Sequence, residues 1–151
     1  MSHADRLGDF LERHRLIGVD TSVFIYHLGA HAVHGRSAAR VMQWMRSPDR
    51  LAVTATLTMT ELLVQPLRAN LPDIVTAIGS LPALVPNLTW MPTTLDIAIR
   101  AATLRGQHRL QTPDAVQLAT ALEAGATGMV TNDKDFRRVT DLEVLLLDDL
   151  L

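Results

Sequence analysis

Short apolar runs separated by stretches of helical periodicity organise this chain. Leu16-Ile17-Gly18-Val19, Leu51-Ala52-Val53-Thr54, Leu88 to Met91, Gly128-Met129-Val130-Thr131 and Leu142 to Leu147 read as buried strands. Between them the apolar positions recur at helical spacing. The first fourteen or so residues form an amphipathic helix with Leu7, Phe10 and Leu11 on one face. Further helices are expected over Val23 to Leu28, from Ser37 through Val41, Trp44 and Met45, over Thr58 to Arg68, and over Leu71 to Ile78. Thr94 to His108 presents Leu95, Ala98, Ile99, Ala102 and Leu104 as its apolar set. Pro113 opens another helix, where its missing N–H costs nothing, and Gly125 closes it. Asp133 to Arg138 is a short helical turn, and Pro82 and Pro86 punctuate a connection.

Strands of this kind alternating with helices predict a three-layer α/β/α domain around a mainly parallel central sheet. One domain spans residues 1–151, as an N-terminal helical extension (1–15) and a core (16–148), without repeats or linkers. In such folds ligands bind beyond the carboxyl ends of the strands, where the strand order reverses.

Composition narrows the chemistry. The chain is 48% hydrophobic and 20% charged, with a formal net charge of −2, so nucleic acid could be held only by a local basic surface. The absence of cysteine excludes disulfides, thiolate catalysis and Cys-ligated zinc, and suits a reducing cytoplasm, the expected location. No apolar run approaches the roughly 20 residues of a bilayer span, and no membrane association is expected. The mixed charges of residues 1–15 do not read as a signal peptide.

Four acids fall where ligands bind. Asp20 follows the first strand and Asp133 the fourth; Glu61 and Asp114 lie near the starts of helices. Each has a purely structural explanation, as a helix cap or a partner of the positive helix end. Asp114 fits that explanation least, because Leu118, Ala121 and Leu122 follow at i+4, i+7 and i+8 and place it on the inward stripe. An acid there must be paired, protonated or bound to a cation. All four can converge on one rim of the sheet. Two carboxylates about 4 Å apart repel by roughly 4 kcal/mol at an effective dielectric near 20, so several together call for a cation. Oxygen-only donors select hard ions, Mg²⁺ or alternatively Mn²⁺.

Four segments also resemble the successive motifs of PIN domains, and most of all the VapC-type toxins of bacterial and archaeal toxin–antitoxin pairs. They are Val19-Asp20-Thr21-Ser22, Thr60-Glu61-Leu62, Thr112-Pro113-Asp114-Ala115-Val116-Gln117-Leu118-Ala119-Thr120-Ala121, and Val130-Thr131-Asn132-Asp133-Lys134-Asp135-Phe136. Order and approximate spacing match from about Ile17 to Leu147, and the third and fourth segments are the more specific. The resemblance implies that Asp20, Glu61, Asp114 and Asp133 are catalytic, metal-binding acids, with Asp135 an alternative to Asp133. It implies support from Thr21 or Ser22 and from Thr131 and Asn132. It implies Mg²⁺-dependent hydrolysis of RNA phosphodiester bonds, with a water nucleophile leaving 5′-phosphate and 3′-hydroxyl ends. Arg105, His108, Arg109 and Lys134 flank the last two segments and are the candidate phosphate contacts. A cognate antitoxin protein and homodimerisation are the partners it implies. A housekeeping RNA-processing nuclease, or an inactive RNA- or partner-binding module, would carry the same segments.

Other constellations are weaker. His27, His31 and His34 are interrupted by Gly29 and lack a nearby carboxylate, so loop histidines fit better than a metal site. Neither a Walker pattern, a G-x-G-x-x-G run nor a G-x-S-x-G elbow occurs. A phosphatase of the haloacid-dehalogenase type would carry a second acid two residues after Asp20, where this chain has Ser22. The paired acids of a phospho-receiver domain are missing as well.

Overall fold

The computed structural model describes residues 5–151. The expected N-terminal helix is present as α1 (Arg6–Arg13), and the first four residues assigned to it lie outside the described residues. Five strands, β1 (Leu16–Val19), β2 (Leu51–Ala55), β3 (Leu88–Met91), β4 (Gly128–Thr131) and β5 (Glu143–Leu146), form one sheet in the order β3-β2-β1-β4-β5. Every pairing is parallel, so the sheet is wholly rather than mainly parallel. The chain moves outward from β1 through β2 to β3, then returns to set β4 beside β1, with Val19 opposite Val130. The reversal therefore lies at the β1/β4 boundary.

The helices are α2 (Thr21–Leu28), α3 (Gly35–Trp44), α4 (Leu57–Arg68), α5 (Pro72–Gly79), α6 (Leu81–Leu84), α7 (Leu95–His108) and α8 (Thr112–Glu123). Single turns of 3₁₀ helix follow at Lys134–Arg138 and Leu147–Leu150. Helix α6 occupies what the prolines alone suggested was irregular connection.

Two buried clusters, one on each face, make the three layers. Ile17 and Val19 pack with Phe10, Phe24, Val41 and Met45 on the side of α1–α6. Val53 and Met129 pack with Ile97, Leu104, Leu118 and Phe136 on the side of α7 and α8. Gly18 allows the second layer to come close, since a Cβ there would sit 2.7 Å from that of Ala121 on α8. Alternation along β1 thus leaves the next residue, Asp20, on the α8 side.

Helix α7 buries only part of its apolar set. Ile97, Ala101 and Leu104 are buried, whereas Leu95 and Ile99 are 77% and 59% exposed. Apolar residues lie on two sides of this helix, so periodicity alone could not select the inward one.

At the amino ends of the strands, α1 seals the sheet. Leu7, Phe10 and Leu11 are buried as expected. A Cβ on Gly128 would lie 2.7 Å from Phe10 Cζ and 3.0 Å from the His14 ring, so only glycine lets α1 seat this closely. Buried His14 bridges Thr127 Oγ1 through Nδ1 at 2.7 Å and Glu143 Oε2 through Nε2 at 2.8 Å, while Arg13 also pairs with Glu143. Among the described residues no helix is long and apolar enough to cross a membrane.

Candidate active site

A cleft of about 630 Å³ opens beyond the carboxyl ends of β1 and β4, lined by Asp20, Glu61, Asp114 and Asp133 among others. The four acids separated in sequence therefore share one wall system. Backbone pairing runs to the very rim, where Asp20 N–H donates to Val130 O at 3.0 Å.

Asp20 occupies the N-cap position of α2 but makes no capping bond to it. Its Oδ2 instead accepts from Ser22 Oγ (3.1 Å) and Thr131 Oγ1 (2.8 Å). Each hydroxyl has one proton, so each is free to accept from elsewhere. Ser22 Oγ accepts from Asn132 N–H at 3.2 Å, and Thr131 Oγ1 from Asp133 N–H at 3.0 Å. Two hydroxyls thus tie the β4 turn to the first acid.

Glu61 lies in the second turn of α4, and its support comes from a buried polar layer. Thr21 Oγ1 donates to Glu61 Oε1 at 3.0 Å. Beneath it, Gln117 Nε2 donates to Thr58 Oγ1 at 2.7 Å, and Gln117 Oε1 accepts from Ala55 N–H at 3.3 Å. Gln117, 2% exposed, also lines the cleft. Sequence reasoning passed over it, although its i+3 spacing from Asp114 puts both on one helix face.

Asp114 stands in the first turn of α8, after Pro113. Carboxylate oxygens of Asp114, Asp133 and Asp135 lie within 4.8 Å of one another. Asp133 caps the following 3₁₀ turn, accepting from Asp135 N–H at 2.9 Å, so its capping role and its place on the rim coexist. Asp135 is joined to Arg138 at 2.9 Å, which distinguishes it from Asp133.

Electrostatics reflect this crowding. Burial pushes the Asp20 carboxyl above its ordinary value, opposed by its hydrogen bonds and reinforced by the charge of Asp133. Glu61 is raised, first by loss of solvent and then by the charge of Asp20. Asp114 is pushed up to about 7, by loss of solvent first and then by the charges of Asp133, Asp20 and Asp135 and a hydrogen bond shared with Asp133. Among the described residues, Asp20, Glu61, Asp114 and Asp133 form no salt bridge. The close oxygens of Asp114, Asp133 and Asp135, of which only Asp135 is in a salt bridge among the described residues, fit a hard divalent ion.

The four candidate cations separate. Lys134 lines the cleft. Arg105 is engaged in shaping the α7–α8 turn, donating from Nε to Leu110 O and from Nη1 to Thr112 Oγ1, both at 2.9 Å. His108 and Arg109 lie at the end of α7, and Arg109 takes a left-handed conformation there (φ 54°). Tyr26 and Asp148 also line the cleft, and neither was singled out from sequence. Tyr26 gave no motif signal, and Asp148 is brought in by the return of the chain after β5.

A family profile for the PIN domain matches residues 17–142. No curated protein matches the chain. Among solved structures, VapBC-1 from nontypeable Haemophilus influenzae is 25% identical with a TM-score of 0.66, covering 88% of this chain and 98% of that one. A toxin–antitoxin complex from Klebsiella pneumoniae is 21% identical (TM-score 0.63), covering 87% and 97%. The Mycobacterium tuberculosis toxin VapC20, described as cleaving the sarcin-ricin loop, is 21% identical (TM-score 0.65), covering 80% and 92%.

Proposed function

The chain belongs to the PIN domain family, and from that premise we propose that it is a Mg²⁺-dependent endoribonuclease, the toxin of a toxin–antitoxin pair. The observation that carries this reading is the rim itself, where Asp20, Glu61, Asp114 and Asp133 line one cleft and, among the described residues, none of the four is in a salt bridge. The neighbouring VapC20 is described as a toxin that cleaves the sarcin-ricin loop, and the Klebsiella pneumoniae neighbour is a toxin–antitoxin complex, which supports the substrate class and the partner.

In this reading Asp20, Glu61, Asp114 and Asp133 hold the ion, and Mn²⁺ can replace Mg²⁺. Bound there, such an ion supplies activation of water and compensation of charge at the phosphate. Thr131 and Ser22 keep Asp20 oriented, Thr21 does so for Glu61, and Asn132 anchors Ser22. One of the rim carboxylates accepts the proton of the attacking water. Asp135 buttresses the Asp133 turn, since its N–H is the donor to Asp133. Lys134 meets the backbone phosphate at the cleft, with Arg105, His108 and Arg109 forming a basic flank beyond it.

An antitoxin that places an Arg among the acids would substitute for the ion and shut the site. Exposed Leu95 and Ile99 on α7 supply an apolar face suited to a second copy of the chain. Its intracellular location is part of the same proposal.

The test is cleavage of single-stranded RNA by the purified chain with Mg²⁺, Mn²⁺ or chelator, alongside Asp114→Asn. Metal-dependent products with 5′-phosphate ends that are lost in the variant support the reading. Cleavage unaffected by both chelator and variant, or 2′,3′-cyclic phosphate ends, rejects it. Mapping transcript ends after induced expression of wild type and Asp20→Asn then identifies the cut sites.

A further inference from the structure

The histidines of the α2–α3 loop are not metal ligands in the reading above, yet His34 is 5% exposed and points away from solvent into a defined set of partners. Its Nε2 meets Asp148 Oδ1 at 2.8 Å. Its ring stacks on His31, with centroids 5.4 Å apart and planes 11° from parallel. His31 Nδ1 accepts the N–H groups of Val33 (3.2 Å) and His34 (3.0 Å), which fixes the loop that presents both rings. A solvated loop histidine needs none of this.

Asp148 belongs to the Leu147–Leu150 turn after β5, and it grips Asn132 twice. Asp148 N–H donates to Asn132 Oδ1 at 2.8 Å, and Asn132 Nδ2 donates to Asp148 Oδ1 at 3.2 Å. The second Nδ2 proton goes to Tyr26 OH at 3.0 Å. Since a backbone N–H can only donate, the amide of Asn132 has one permitted orientation. Its backbone N–H then donates to Ser22 Oγ, whose own proton goes to Asp20. A continuous series of contacts therefore runs His34–Asp148–Asn132–Ser22–Asp20, drawing on four separate stretches of chain.

We propose that His34 and Asp148 are a positioning pair for the acidic cleft, setting Asp20 and the Asn132–Asp133 turn by clamping Asn132. This rests on the nuclease reading, because it assigns the clamp a purpose at the same rim. Neither residue need touch RNA or metal for this. Partners behind metal-binding groups commonly change affinity or turnover by about 10–100-fold when removed. A mere staple for the C-terminal turn would instead change stability and leave the rim's affinity alone.

The experiment compares wild type, His34→Ala, His34→Gln and Asp148→Ala for Mn²⁺ affinity by calorimetry, for kcat and KM on single-stranded RNA, and for Tm. We expect His34→Ala to weaken Mn²⁺ binding and lower kcat by about tenfold each, with KM for RNA within about twofold of wild type. His34→Gln, which can still donate to Asp148, should recover most of both. Should His34→Ala not fold, Asp148→Ala gives the same readouts, because that side chain is 62% exposed and its removal leaves no large cavity. Wild-type Mn²⁺ affinity and kcat in whichever of the two variants folds, with only Tm lowered, overturns the proposal. A wild-type chain that neither binds Mn²⁺ nor cuts RNA overturns the nuclease reading itself, an outcome separable from the former.

Discussion

The two ends of the sheet treat their acids in opposite ways. At the amino end, Glu143 meets Arg13 and His14, and its carboxyl is held below the ordinary range, first by Arg13. At the carboxyl end, Asp20, Glu61 and Asp114 are all held above it, with loss of solvent the leading cause. Both ends gather residues remote in sequence, and both are ordered by hydrogen bonds. The difference is compensation. A closed set of charges at the amino end stabilises the fold, whereas the open set at the carboxyl end costs stability until something positive arrives. An uncompensated cluster that is nevertheless well braced is what a binding site requires.

The largest expected effect comes from removing one charge at the open end. Asp114→Asn should reduce metal-dependent RNA cleavage by about 10³-fold, equivalent to about 4 kcal/mol of barrier, while the metal-free protein becomes more stable at pH 8. Loss of activity together with loss of stability would mean that Asp114 is part of the structural frame. At the closed end, Gly128→Ala should destabilise by about 2–3 kcal/mol through the clash with Phe10 and His14, measured by urea unfolding. Mn²⁺ affinity in that variant should stay at the wild-type value, and a change there would show that the two ends are coupled.

The pH dependence sharpens the contrast, because the signs are opposite. Asp114 is raised from 3.8 to about 7, so its contribution is fully present below about pH 4 and is lost as pH rises towards 7. Glu143 is lowered from 4.5, so its contribution is present above that value and lost as pH falls through the depressed one. Saturating Mn²⁺ should offset the Asp114 penalty, worth about 2 kcal/mol once its partial exposure is allowed for. Calorimetry should therefore find that Mn²⁺ raises Tm about 5 °C more at pH 8 than at pH 5. An equal rise at both pH values would remove the coupling between ionisation and metal. The smallest effect is expected from Glu143→Gln, a loss of about 1 kcal/mol at pH 7 with no change in cleavage.

Much of this arrangement was legible along the chain. The strands stood out because a sheet covered on both faces demands unbroken apolar runs, and Asp114 because its spacing from Leu118 and Ala121 put a charge on an inward stripe. Asp20 could be placed but not interpreted, since an N-cap and a rim acid occupy the same position in sequence; only the bonds of its Oδ2 separate them. The inward side of helix α7 was not legible, because Leu95 and Ile99 follow the same spacing as the buried Ile97 and Ala101. Asp148 left no local signal, for its meaning depends on where β5 delivers the chain. Gln117 was within reach, as an amide amid apolar neighbours sharing a face with Asp114.

The position of β4 beside β1 has a temporal consequence. A nascent chain made only as far as Thr127 already holds Asp20, Glu61 and Asp114, but it lacks the strand that flanks β1 and both hydroxyl-bearing and acidic residues of the turn beyond it. The acidic rim cannot be built piecemeal during synthesis, and its completion should come late and all at once. For the toxin proposed above, that ordering would keep each molecule harmless until its fold is closed.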